Sequence, residues 1–82
     1  MSAMMWAVLE EIVRTNGGGL SAGGEYARQI KRLYERDLVQ GKLGQPWIAV
    51  HTREGLAAVR ERQARLHAEQ FDQRNPLQTE PA

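Results

Sequence analysis

An α+β domain is the fold class this sequence predicts, on three observations. Two segments, Ala3 to Thr15 and Glu25 to Leu38, repeat apolar residues at helical spacing. Between Val39 and His51 the pattern changes to strand-type residues punctuated by Gly41, Gly44 and Pro46. From Arg53 the helical pattern returns and runs to about Gln73. The predicted order is a helix, a Gly-rich connector, a basic amphipathic helix, a two-stranded β-hairpin and a long C-terminal helix. With 82 residues the chain makes one domain, 1–73, followed by 74–82 as a disordered tail.

Composition narrows the class. Apolar residues make up 41% and charged residues 26%, as in ordinary globular domains. The absence of cysteine excludes a disulfide framework and a thiolate zinc site, and fits a reducing compartment. The longest apolar segment, Ala3 to Leu9, falls short of a membrane span and no basic segment precedes it, so no membrane role is expected and the predicted location is cytoplasmic. Formal net charge is only +1, but its distribution is uneven: Arg14 to Arg65 holds ten Lys or Arg against five acids. The flanks are acidic, so the basic middle fits a polyanion partner.

Each element has its own signals. Ser2 is the expected N-cap of the first helix, whose broad apolar face carries Met5, Trp6, Val8, Leu9, Ile12 and Val13. Asn16-Gly17 supplies residues that tolerate the left-handed conformation at a helix end. Five glycines in the eight residues Gly17 to Gly24 predict a flexible connector or a single helical turn. Gly17, Gly19 and Ala22 match a dinucleotide-binding spacing but follow a helix instead of a strand, and Gly24 stands where a phosphate-binding loop needs lysine.

The second helix, 25–38, divides sharply. Tyr26, Ala27, Ile30, Leu33, Tyr34 and Leu38 share one half of the helical wheel; Arg28 and Arg32 centre the other, with Gln29, Glu35, Arg36 and Lys31 beside them. The bland reading is a solvated face with Arg28 and Arg32 paired to Glu35. In the hairpin, Lys42 rides on a glycine-flanked tip, 41–46. Period-2 alternation predicts Ile48 and Val50 inward, and Trp47 is expected to pack on the body more than to stand exposed. Thr52 is the expected N-cap of the third helix, with Glu54 in its first turn, a core stripe at Leu56 and Val59, and a Glu61–Arg65 pair beyond. Asn75-Pro76 is the predicted stop.

Enzymatic chemistry finds no support. His51 and His67 stand alone, no nucleophile is placed beside a base by spacing, and no metal or cofactor motif is present.

The segments YARQIKRLYERDLV, QGKLGQPWIAV and HTREGLAAV, in that order, resemble the winged helix-turn-helix proteins, especially small bacterial and phage regulators. The resemblance covers residues 3 to about 60. It implies a recognition helix in the DNA major groove with a wing beside it. Arg28, Gln29 and Arg32 would then be base-edge contacts, and Lys31, Arg36 and Lys42 phosphate contacts. Only Asn16 to Gly24 is available for the family's supporting helix, and Leu20-Ser21-Ala22 form one turn there at best.

Two functions follow. The first is a sequence-specific DNA-binding transcriptional regulator, homodimeric through Leu66 and Phe71 on the distal third helix, where apolar side chains lack an intramolecular partner. The alternative is a winged-helix protein-interaction module, such as a small phage-type inhibitor of a host complex, that does not read DNA.

Overall fold

Among the described residues six elements follow one another: α1 (Ala3–Arg14), β1 (Leu20–Ser21), α2 (Ala27–Glu35), β2 (Val39–Lys42), β3 (Gln45–His51) and α3 (Arg53–Gln78). The computed structural model describes the backbone of residues 1–78 and the side chains of residues 1–69. Three helices and a three-stranded antiparallel sheet make the fold α+β.

α1 starts as its sequence dictates: the Ser2 hydroxyl accepts a 3.1 Å hydrogen bond from the Met5 amide, satisfying one of the donors a helix N-terminus leaves free. Its apolar face buries Met5, Val8, Leu9 and Ile12, with Trp6 and Val13 packed at the margin. Leu9 and Ile12 are fully buried, and each such side chain contributes roughly 1.5–3 kcal/mol. The helix ends through Asn16 (φ 53°) and Gly17 (φ 98°), the left-handed pair expected there.

The connector is not a helical turn. The Thr15 hydroxyl donates to the Ile12 carbonyl (2.6 Å) and accepts from the Gly19 amide (2.7 Å), which folds the chain back toward the sheet. Leu20 and Ser21 then pair with Ala49 and Ile48 as β1, and the Ala22 amide donates to the Trp47 carbonyl at 2.9 Å. The expected two-stranded hairpin is therefore a three-stranded sheet of order β1-β3-β2. Two residues of the glycine-rich connector become a strand because β3 offers an open edge of backbone donors and acceptors.

β3 also faces the opposite way from its expectation. Ala49 is the fully buried residue, while Ile48 and Val50 are half-buried on the other face and outside the central cluster. Contact between α1 and β3 leaves room on the inner face for a methyl group, and the loop at Gly19 partly covers the outer one. Leu56, expected in the core, is likewise only half-buried; Val59 supplies a buried side chain of α3.

α2 is nine residues long and not the 25–38 predicted. Its start follows a turn in which the Ala27 amide donates to the Gly24 carbonyl at 3.1 Å, and no side chain caps it. Its end is set by Asp37, whose φ of 59° lets the Leu38 amide donate to the Leu33 carbonyl (3.0 Å) and the Asp37 amide to the Tyr34 carbonyl (3.0 Å). This left-handed cap turns the chain into β2 within two residues. Asp37→Gly is expected to raise the stability by about 0.5–1 kcal/mol, because relief of the left-handed strain exceeds glycine's extra unfolded-state entropy. A higher urea midpoint at unchanged slope is the measurement.

α3 is capped by Thr52, whose hydroxyl accepts from the Gly55 amide at 3.0 Å and donates to the Asp37 carbonyl at 2.7 Å. The Thr52 amide donates to the Leu38 carbonyl at 3.1 Å, so one residue ties the end of α2 to the start of α3. The helix continues past its predicted end near Gln73 to Gln78. It runs through Asn75 and Pro76, so the predicted stop there does not end it. Residues 79–82 of the predicted tail lie outside the described residues.

Candidate nucleic-acid interface

The candidate site grows from the two-sided chemistry of α2. Ile30 and Leu33 anchor the helix, at 1% and 0% exposure, and that anchoring turns the opposite side to solvent. Arg28, Lys31, Arg32 and Arg36 are exposed there, with Glu35 among them, and Gln29 is half-buried at the margin. The expected pairs of Arg28 and Arg32 with Glu35 are not formed. Among the described residues the ion pairs are Arg14–Glu11 at 3.4 Å and Arg62–Glu10 at 2.8 Å, and neither uses a cation of α2. The Glu61–Arg65 pair is also not formed. Unpaired surface guanidinium groups keep all their donors for an external anion. Arg32, Glu35 and Arg36 line a shallow depression with Met5 where α2 meets α1.

The hairpin brings Lys42 to the end of β2, half-buried and opposite Gln45, with the ladder shifted between Gly41 and Lys42. Leu43 and Gly44 form the turn, Gly44 at φ 84°. Trp47 does not pack on the body as expected: it is 59% exposed. β2 follows α2 after three residues and packs against it, so hairpin and helix form one continuous unit.

Two contacts were not legible as site chemistry in the sequence. Arg62 donates to Glu10 and stacks over Trp6, its guanidinium carbon 5.0 Å from the ring centroid. The signal was its position on the stripe between Val59 and Leu66, the side of α3 that meets α1. Leu66 is 41% exposed and lines a cavity with Trp6, Arg62, Arg65 and Glu69. The side chain of Phe71, its expected partner in a dimer seam, lies outside the described residues.

A second open surface lies on α1. Met4, Ala7, Val8 and Glu11, spaced as successive helical turns, form a groove with Leu20 and Tyr26. No group of three His, Asp or Glu residues converges among the described residues. None of the described helices is long and apolar enough to cross a membrane. No protein-family model, curated protein or solved structure matches the chain.

Proposed function

We propose that this chain is a double-stranded DNA-binding regulator of the winged-helix type, with α2 in the major groove and the hairpin alongside. The observation that carries the reading is the exposed basic side of α2, whose cations form no intramolecular ion pair, joined through three residues to a hairpin bearing Lys42. The order of elements supports it too, because β1 occupies the place between first and second helices that a third sheet strand needs. In this reading Arg28 and Arg32 grip guanine edges, Gln29 an adenine edge, and Lys31, Arg36 and Lys42 hold phosphates.

The test is quantitative. Three phosphate contacts give a slope of log affinity against log salt of about −2.7. Arg28→Glu with Arg32→Glu is expected to weaken duplex binding about 100-fold or more while the circular dichroism spectrum stays that of the parent, both side chains being exposed. Binding by the double variant equal to the parent's would remove α2 from the interface.

The groove of Met4, Ala7, Val8, Leu20 and Tyr26 favours a second reading, a protein-interaction module that does not read DNA. Between α1 and α2 the chain here has the short strand β1 and no supporting helix that would cover such a surface. Absence of any duplex shift at low salt, together with a stoichiometric complex with a protein, would select it.

A further inference from the structure

The hairpin tip is apolar where turns in water are ordinarily polar. Leu43 is 100% exposed at the turn, and Trp47 keeps 59% of its surface in solvent. Strand alternation puts Trp47 on the same face of β3 as the buried Ala49, toward the helices but one step beyond the edge of the core. Lys42 sits at the base of the turn opposite Gln45. Gly41 lets the two strands close up: a Cβ there would stand 3.2 Å from the Pro46 Cα, so the hairpin is narrow behind its tip. A single exposed leucine is unremarkable, but a bare leucine and tryptophan on a narrow hairpin beside a cation form a wedge.

The charge around the wedge selects its occupant. Lys42 on the hairpin and the unpaired Arg28, Lys31, Arg32 and Arg36 on the adjoining helix call for a polyanion. Duplex DNA combines that charge with stacked apolar faces that open at flexible base steps.

We propose that Leu43 enters between base pairs from the minor-groove side of a bound duplex, with Trp47 along the sugar edge and Lys42 on the adjacent phosphate. This rests on the DNA-binding reading above and adds to it that the bound duplex is unstacked and bent at the hairpin.

The experiment uses the full chain and the duplex it enriches from a random pool, with 2-aminopurine placed at each position in turn. Fluorescence is expected to rise at one base step when the parent binds. Leu43→Ser is expected to abolish that rise while weakening binding by about tenfold, the loss of one leucine's burial in the duplex. In a Trp6→Phe background the remaining emission, from Trp47, is expected to change on adding the duplex. Binding by the parent with no rise at any step, or an undiminished rise with Leu43→Ser, overturns the wedge and leaves DNA binding standing. Failure to enrich any duplex overturns both. A Trp47 response to phosphatidylserine vesicles and not to duplex assigns the tip to a lipid surface and also overturns the proposal.

Discussion

Gly55→Ala is expected to destabilise the fold by about 3 kcal/mol, although alanine is the better helix former by about 1 kcal/mol. Gly55 lies in the first turn of α3 and is buried, and a Cβ on it would overlap the Leu38 carbonyl oxygen. That oxygen accepts the Thr52 amide at 3.1 Å, and the Thr52 hydroxyl holds the Asp37 carbonyl at 2.7 Å. Moving α3 outward to make room for a methyl group strains both bonds and lifts Val59 from the core, where it is 2% exposed. Overpacking of this kind costs 1–3 kcal/mol or more, and a marginally stable small domain cannot absorb much of it. The prediction is checked by the urea midpoint. A gain in stability would mean that propensity governs this position and that the contact with Leu38 opens freely.

Gly19→Ala is expected to cost about as much, for two added reasons. Its φ is 80°, in the left-handed region that disfavours an L side chain, and a Cβ would run into the Ala49 carbonyl and the side chains of Ile48 and Val50. Together these amount to about 3 kcal/mol. The loss should appear first as detachment of β1, read as faster exchange of the Ala22 amide that bonds the Trp47 carbonyl at 2.9 Å. Gly23 is the internal control. Its backbone is not left-handed and a Cβ there would meet nothing within 4 Å, so the same substitution at Gly23 should be neutral or slightly stabilising. Equal losses at Gly19 and Gly23 would show that the glycine run acts through flexibility, not through one close contact.

These two glycines mark where sequence reasoning reached its limit. A run of glycines announces a need for unusual backbone without saying which residue has it. Here Gly17 and Gly19 have positive φ, whereas Gly18, Gly23 and Gly24 do not. Likewise the glycine after Thr52 and Glu54 reads as an ordinary early helical position, and only the approach of Leu38 makes it necessary.

The candidate site divides in the same manner. That Arg28 and Arg32 lie opposite Ile30 and Leu33, with Lys31 and Arg36 flanking them, was written in their spacing, because helical periodicity alone separates the faces. Whether those cations would be consumed by Glu35 was not, since long exposed side chains gain little from such pairs and their choice depends on rotamers and neighbours. The exposure of Trp47 was equally hidden, being decided by how far the hairpin reaches past the core.

By itself the sequence determined the helix starts at Ser2 and Thr52, the left-handed exit at Asn16 and Gly17, the buried stripe of α1 and the hairpin turn. These are local: a hydroxyl three residues from an amide, a periodicity of 3.6, a glycine at one turn position. Tertiary structure alone decided that Leu20 and Ser21 join the sheet, that Ala49 and not Ile48 or Val50 faces the helices, and that Arg62 reaches Glu10 across 52 residues. The reason is the same in each case. Trp47-Ile48-Ala49-Val50 is apolar on both faces, so alternation divides the residues without naming the inner set, and the choice falls to the packed neighbour that leaves space for one methyl group.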